Sequence, residues 1–246
     1  MKTQRGLTLL ELMISMLVGL IVIGTTLVIY QSTITANSDI TRATRLNHDL
    51  DSVMSLMIND IRRAGFWFGA TAQANTLNNP FATPANNINI VNFSGTSDCI
   101  LYSYDISNTD DDTDPDQFKF NFFGFRLNGD RIQMRLSGEN STDCSNGSDA
   151  WESFTLNTGH EQINITELTF SFEETGQLAA TSRCRNKTDP TSSTDNIDCT
   201  TPSTGDQLVQ RRLVNIVLTG TFGDDATVTK TLRASTQVRN DRLYVF

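Results

Sequence analysis

The sequence predicts an α+β fold, in which one long amino-terminal helix packs on an antiparallel β-sheet. The first observation is that no proline occurs between Leu7 and Ala64, where apolar residues are at first continuous and then spaced at helical steps. The second is that the chain after Gly65 contains segments with alternating apolar and polar residues, the pattern of half-buried strands. We therefore expect a helix of about 58 residues, roughly 87 Å long at standard rise, followed only by strands.

Residues 7–30 form the apolar half of this helix and are long enough to cross a membrane. At 1.5 Å per residue they span about 36 Å, against a hydrocarbon core of about 30 Å. Lys2 and Arg5 precede the run and no basic residue follows until Arg42, so the amino end should stay cytoplasmic while the rest is exported. The run contains one charge, Glu11. An ionised carboxylate within a bilayer costs a few kcal/mol, so such an acid usually has a partner and a function.

Residues 31–65 should form the amphipathic half of the helix. Apolar residues recur at helical spacing and mark one stripe that should pack on the globular domain: Ile40, Ala43, Leu46, Leu50, Val53, Met57 and Ile61. The charged residues fall mostly off this stripe: Arg42, Arg45, Asp49, Asp51 and Asp60. We expect the helix to continue to Ala64 and to stop at Gly65, because glycine is common just past helix ends.

Residues 66–246 should form one β-rich domain, because about 180 residues are enough for a core of their own. The expected strands are Asn87–Phe93, Cys99–Tyr104, Phe118–Leu127, Arg131–Leu136, Glu161–Glu173, Leu208–Phe222, Thr227–Val238 and Leu243–Phe246. The third and fourth of these should form a hairpin around the turn Asn128-Gly129-Asp130. Segments 75–87 and 188–205 are polar and contain proline, so we expect loops there.

The composition narrows the class of function. The formal charge is −9, and an acidic exterior lacks the basic patch that nucleic-acid binding needs, so we expect no direct nucleic-acid partner. His48 and His160 have no nucleophile motif nearby, and no phosphate-binding glycine loop occurs. Glu173 and Glu174 are adjacent on an expected strand and would point to opposite faces. We therefore do not expect an enzyme.

Four cysteines lie in the part that should be exported: Cys99, Cys144, Cys184 and Cys199. An even number of cysteines in an oxidising compartment predicts two disulfides. Three pairings are open, and Cys99–Cys144 with Cys184–Cys199 closes the shortest loops. The second of these bonds would contribute roughly 3 kcal/mol by the loop-entropy estimate. A zinc site is the alternative, and it is disfavoured because the sequence has no CxxC pair and two histidines.

An acidic run is the other unusual feature of the domain. Carboxylates at alternate positions can converge on calcium, and the candidate ligands are Asp110, Asp112, Asp114 and Asp116, with Asp105 shortly before them. The run lacks the glycine and the terminal glutamate of an EF-hand loop, however. A solvated acidic hairpin tip is the favoured interpretation, and calcium is the one cofactor that we consider.

The amino-terminal segment resembles the type IV prepilin leader: a short basic segment, residues 1–6, that ends in Gly6 and is followed by Leu7, an apolar helix and a glutamate at the fifth mature position. The resemblance implies that a dedicated membrane peptidase cuts between Gly6 and Leu7 and that the new amino terminus of Leu7 is methylated. It also implies that Glu11 offsets the ammonium of a neighbouring subunit during filament assembly. This role agrees with the expectation that an acid within a bilayer has a partner.

Two further segments resemble PilW-type minor pilins. One is the helix end Ile61-Arg62-Arg63-Ala64-Gly65-Phe66-Trp67, and the other is the terminal strand Leu232–Val238 with Arg239-Asn240-Asp241-Arg242. From the residues themselves, Arg62 and Arg63 favour the carboxyl end of a helix through its dipole. We expect Phe66 and Trp67 to cover the junction between helix and sheet.

The resemblance implies a minor pilin of a bacterial type IV pilus, with roles in the tip or priming complex, adhesion, twitching motility or DNA uptake. Its partners would be other minor pilins, the major pilin, the prepilin peptidase, the inner-membrane assembly platform, membrane lipid and a tip adhesin. The protein would first span the inner membrane once, with its domain in the periplasm, and then join the pilus fibre at the cell surface. Two alternatives stay open: a J-like minor pseudopilin of type II secretion, and a membrane-tethered calcium-dependent binding protein that does not polymerise.

Overall fold

The fold was analysed in a computed structural model of the 246-residue chain. The structure describes residues 8–67, 79–82, 86–106, 122–145, 149–153, 163–172, 182–188, 203–223 and 225–245, without the side chains of residues 182–184, 225 and 226. The chain divides into two compact units, Met1–Arg45 and Leu46–Phe246. Helix α1 spans Leu9–Ile61, so that it contributes to both units.

The helix ends three residues earlier than expected, at Ile61 rather than Ala64. The reason is local hydrogen bonding. The amide of Arg63 bonds to a carbonyl three residues back at 2.9 Å, and the next amide does the same at 3.1 Å, so the chain tightens into a turn. Gly65 then adopts a φ of 73° and donates its amide to the carbonyl of Ser103 at 2.8 Å. Glycine is favoured here because side chains rarely adopt positive φ, so Gly65 lies in the turn that follows α1 and not at the last residue of the helix.

The apolar stripe of the helix is confirmed from Leu46 onward. The buried residues of α1 are Leu46, Leu50, Val53, Met54, Met57, Asp60 and Ile61. Ile40 is 64 % exposed and Ala43 is half-buried, so the expected packing of Ile40 is wrong. The compact β-domain unit begins only at Leu46, and burial begins with it. Asp60, which was placed off the stripe, is also buried.

Sheet 1 is a five-stranded antiparallel meander in chain order. Its strands are β1 Asn89–Val91, β2 Cys99–Ser103, β3 Phe122–Asn128, β4 Arg131–Ser137 and β5 Ala150–Ser153. The hairpin between β3 and β4 is confirmed: Asn128 pairs with Arg131, and Gly129 has a φ of 65°. A short 3₁₀ helix, Pro80–Ala82, precedes the sheet. β5 was not predicted, because a four-residue strand is too short for a clear alternation.

Sheet 2 is built around one long strand. Its strands are β6 Ile163–Ser171, β7 Ser182–Asn186, β8 Gln207–Phe222, β9 Asp225–Gln237 and β10 Arg242–Val245. β8 pairs antiparallel with each of the other four. Two sheets therefore replace the single sheet that we expected, because alternation identifies a strand but not its neighbour. β7 is polar throughout and gave no alternating signal.

The two sheets and the helix share one apolar core. It combines the stripe of α1 with side chains of sheet 1, such as Ile100, Tyr102, Phe125 and Ile132, and of sheet 2, such as Leu168, Phe170, Val214, Ile216 and Leu218. The helix lies close to sheet 2 at Gly220, where an added Cβ would lie 3.1 Å from the side chain of Leu50. The α+β architecture with a long helix packed on antiparallel sheets is thus confirmed.

Candidate functional site at the amino-terminal helix

The start of α1 is fixed by Thr8. Its carbonyl and its hydroxyl both accept the amide of Glu11, at 3.1 and 3.3 Å, so Thr8 acts as the helix cap. Glu11 therefore lies in the first turn, where a carboxylate is favoured by the partial positive charge of the helix end. Gly6 and Leu7 lie outside the described residues. Their roles in cleavage and methylation stay predictions.

The first half of α1 exposes its apolar side chains on all sides. From Leu9 to Tyr30 the large apolar side chains are 52–80 % exposed. The helix is long and apolar enough to cross a membrane, with a mean hydropathy of 2.6 in its most apolar window and none of that window buried. Apolar surface of this extent is stable only when lipid or other helices cover it, because each buried CH₂ group contributes about 0.8 kcal/mol.

The hydroxyl groups in this segment are satisfied within the helix. Ser15 donates to the carbonyl of Glu11 at 2.7 Å, and Thr25 and Thr26 donate to the carbonyl of Val22 at 2.9 and 2.7 Å. Such bonds let hydroxyl side chains enter lipid without an unpaired donor. These positions therefore have polar residues, but their hydroxyl donors are used within the helix and are not left unpaired towards the surroundings.

The Glu11 carboxylate differs from these hydroxyls. Within the described part of the chain it forms no ion pair. The nearest basic residue of the described helix is Arg42, about 46 Å away along the axis at 1.5 Å per residue. A countercharge for Glu11 must therefore come from residues 1–7, which lie outside the described part of the chain, from lipid or from another chain. That requirement makes Glu11 the functional candidate of this helix.

An exposed apolar helix with a capped acid in its first turn, leading into an antiparallel β-domain, defines a membrane-anchored protein of the pilin-like class. The prokaryotic N-terminal methylation motif matches residues 1–27. The family model for prepilin peptidase-dependent protein B matches residues 39–238, and the chain belongs to this family. Neither a curated protein nor a solved structure matches the chain.

The structure brings the helix-end signature and the carboxyl-terminal signature into contact. The backbone amide of Arg239 donates to the carbonyl of Arg62 at 3.1 Å. The side-chain amide of Asn240 donates to the carbonyls of Arg63 and Ala64 at 3.3 and 3.2 Å. No local pattern predicts this contact, because the two segments lie 176–177 residues apart in the chain. The two motifs are therefore halves of one structural feature.

The aromatic residues after the helix behave differently from each other. Trp67 is 8 % exposed and covers the junction as expected, whereas Phe66 is 43 % exposed, so that part of the prediction is wrong. The Phe66 backbone is nevertheless fixed, because its carbonyl accepts the amide of Asp105 at 2.9 Å. This bond orients the main chain of Phe66 without burying its ring.

Asp60 is a site residue that the sequence analysis missed. Its carboxylate accepts the hydroxyl of Tyr102 at 2.5 Å and that of Tyr104 at 2.8 Å, while Arg63 lies 3.7 Å away at the surface. Burial, followed by the charge of Asp60 and the hydrogen bond to it, raises the pKa of both tyrosines, so they remain donors. The sequence did contain an indication of its burial, because Asp60 follows the buried Met57 by three residues and so lies on the same face of the helix. The cluster connects α1 to sheet 1.

A disulfide joins Cys99 to Cys144, and both residues are buried. It attaches the segment after β4 to the outer face of sheet 1. There the guanidinium of Arg126 lies between the rings of Phe93 and Trp151, 4.2 and 4.1 Å from their centroids. Cys184 lies in β7, but its side chain and Cys199 are outside the described residues. Their pairing stays a prediction.

No candidate metal site occurs in the described residues, in the sense of three or more clustered His, Cys, Asp or Glu side chains. The proposed calcium ligands, Asp110, Asp112, Asp114 and Asp116, lie outside the described part of the chain, as does His160. His48 is exposed and lies 3.3 Å from Asp49, its sequence neighbour. Asp105 is buried at the end of β2.

Proposed function

We propose that the protein is a minor pilin of a bacterial type IV pilus, of the PilW type. Prepilin peptidase cuts between Gly6 and Leu7, and the new terminus of Leu7 is methylated. The processed chain then joins the complex that primes polymerisation of the major pilin at the pilus tip. The observation that carries the proposal is Glu11, an acid in the first turn of an exposed apolar helix, with no ion-pair partner in the described chain.

The mechanism is electrostatic pairing within a covered helix bundle. A carboxylate and an ammonium about 4 Å apart attract by about 4 kcal/mol at an effective dielectric constant near 20. The attraction offsets the cost of removing both charges from water when the helices pack side by side. Because the ammonium of Leu7 exists only after cleavage, an uncleaved chain has no charge of that kind at this position and is excluded from the filament.

The remaining partners follow from this placement. Helix α1 contacts membrane lipid before assembly and the helices of the major pilin and other minor pilins afterwards. The inner-membrane assembly platform receives the processed chain, and a tip adhesin is a further partner of the β-domain. The domain lies in the periplasm before assembly and at the cell surface afterwards. It supports adhesion, twitching motility or DNA uptake through the filament, without binding nucleic acid itself.

The first test removes the charge of Glu11, with nearly the same side-chain size in Glu11→Gln and a shorter side chain in Glu11→Ala. We expect Glu11→Gln and Glu11→Ala to be cleaved normally, because the peptidase acts before assembly, and to be at least about tenfold depleted from sheared pili. Mass spectrometry of the mature amino terminus and immunoblots of pili measure the two steps. Glu152→Ala, an exposed acid in β5, is the control and should be incorporated normally. Normal incorporation of both Glu11 variants would refute the role.

A J-like minor pseudopilin of type II secretion is the second candidate. The long helix without an internal proline and the large β-domain favour it as much as they favour a minor pilin. Deletion of the coding sequence separates the two. A minor pilin is required for surface pili and not for secretion of exoproteins, whereas a pseudopilin gives the reverse result.

A further inference from the structure

The end of α1 is held by residues from the opposite end of the chain. A helix leaves its last carbonyls without intrahelical partners, and buried carbonyls need donors. Ala64 and Gly65 are buried, so water does not supply those donors. The Arg62 carbonyl accepts the amide of Arg239, and the Ala64 carbonyl accepts the side-chain amide of Asn240. The Arg63 carbonyl accepts both the Asn240 side chain at 3.3 Å and the amide of Phe66 at 3.0 Å, and the Gly65 carbonyl accepts the side-chain amide of Asn79 at 3.0 Å.

The backbone of Asn240 is in turn fixed by a hydrogen bond from Arg212 of β8. The Arg212 guanidinium donates to the Asn240 carbonyl at 2.7 Å and contacts the side-chain oxygen of Asn87. Arg212 is 2 % exposed, and burial lowers its pKa to about 10, so it remains a cation at neutral pH. Among the described residues it forms no ion pair with a carboxylate. Its positive charge instead lies beside the negative end of the helix, where a cation is favoured.

Residues 238–241 connect β9 to β10, and both of these strands pair with β8 in sheet 2. Val238 donates its amide to the carbonyl of Arg212 at 3.0 Å, and β10 then pairs with the first residues of β8. The segment is thus anchored on both sides of Asn240. Arg239 and Asn240, which contact the helix end, lie between β9 and β10.

We propose that residues 238–245, which we name the terminal clasp, are a conformational device that fixes the end of α1 once the last strand has docked. A chain in which residues 238–245 are absent or unpaired loses β10 but keeps the other strands of both sheets, and its helix end is loose. In the filament this means that only a completely folded chain presents its domain in a fixed relation to the end of its helix. That consequence for assembly rests on the proposed function, whereas the local fixation does not.

The test is amide hydrogen exchange of the full processed chain in detergent micelles, comparing Asn240→Ala with Arg239→Ala. Asn240→Ala removes the side-chain donor to the carbonyls of Arg63 and Ala64, in the turn that follows α1. Arg239→Ala is the matched control, because the Arg239 side chain is exposed and only its backbone amide contacts the helix. We expect Asn240→Ala to accelerate exchange at residues 62–66 by about tenfold or more, with exchange in the β3–β4 hairpin unchanged. The control should stay within about twofold of the natural chain.

Two results would overturn the clasp: unchanged exchange at residues 62–66 in Asn240→Ala, or equal acceleration throughout both sheets. A chain that ends at Val238 gives a second measure and should show the same local loosening. If that chain does not fold, the Asn240→Ala result decides. Incorporation into pili is measured separately. A clasp that loosens in micelles while Glu11 variants assemble normally would leave the clasp standing and remove the proposed function.

Discussion

Two buried carboxylates of the β-domain are stabilised mainly by hydrogen-bond donors rather than by cations. Asp60 accepts two tyrosine hydroxyls from β2 and its flank, and Asp98 is enclosed by backbone amides of the turn between β1 and β2. Hydrogen bonds to a charged group are stronger than those between neutral groups, because the acceptor carries a full charge. Each acid connects two segments of the chain through one side chain: Asp60 connects α1 to β2, and Asp98 closes the turn between β1 and β2. Both are therefore sites where one substitution should be costly.

Asp98 gives a prediction with a defined pH dependence. Burial alone would raise the pKa of Asp98. Hydrogen bonds from the amides of Phe93 and Ser94 and from the Ser94 hydroxyl together lower the pKa by more than burial raises it, so the net pKa lies below its usual 3.8. A group with a lowered folded-state pKa stabilises the fold above its unfolded pKa, and this stability is lost as the pH falls through the folded pKa. The stabilisation is therefore complete at neutral pH and disappears in acid.

We expect Asp98→Asn to lower the free energy of unfolding by about 1–3 kcal/mol at pH 7, because the neutral amide is a weaker acceptor. The difference from the natural chain should narrow as the pH falls below about 4. Urea unfolding followed by tryptophan fluorescence at pH 7 and pH 3 measures it. Glu152→Gln, an exposed acid, should show neither effect. A difference of the same size at both pH values would contradict the assignment.

At the scale of single elements, the two positive-φ glycines of the hairpin and the helix end offer a matched comparison. Gly65 and Gly129 have φ values of 73° and 65°. An added Cβ at Gly129 meets nothing within 4 Å, whereas at Gly65 it would lie 3.3 Å from the Arg212 guanidinium and 3.7 Å from Asn240. The backbone cost is shared by both positions. The crowding is specific to Gly65.

We expect Gly129→Ala to destabilise by about 1 kcal/mol and Gly65→Ala by about 2–4 kcal/mol, since overpacking adds about 1–3 kcal/mol to the backbone cost. Chemical denaturation of both variants under the same conditions gives the comparison. Equal losses would show that Arg212 moves aside freely, which would also weaken the argument for a tightly held helix end.

The sequence predicts elements better than it predicts their partners. The stripe of α1 from Leu46, the turn at Gly65 and the hairpin at Gly129 were all accessible, because helical spacing, glycine and the Asn-Gly turn act locally. The division into two sheets was not accessible, because the pairing of β8 with four strands depends on contacts between distant segments. Asp60 was missed since an acid on a helix is usually solvated, and its tyrosine donors lie 42 and 44 residues away.

At the scale of the whole molecule, the exposed apolar residues are concentrated in one part of the chain. They run almost continuously from Leu9 to Ile29, whereas the β-domain unit exposes only a few, such as Phe66 and Val245, among its described residues. The core begins at Leu46 and includes both sheets. Stability and membrane association therefore depend on different segments of the chain, and removal of the first segment should leave the second folded.

We expect a chain that lacks residues 1–30 to be monomeric in detergent-free buffer and to unfold cooperatively, at a temperature within about 5 °C of that of the processed full chain in micelles. Light scattering coupled to size-exclusion chromatography and thermal circular dichroism are the measurements. Leu50→Asp in the same shortened chain is the control: this fully buried position should not tolerate a charge, so that variant should fail to fold. Aggregation or a much lower unfolding temperature of the shortened chain without Leu50→Asp would contradict the prediction and would show that residues 1–30 also stabilise the domain.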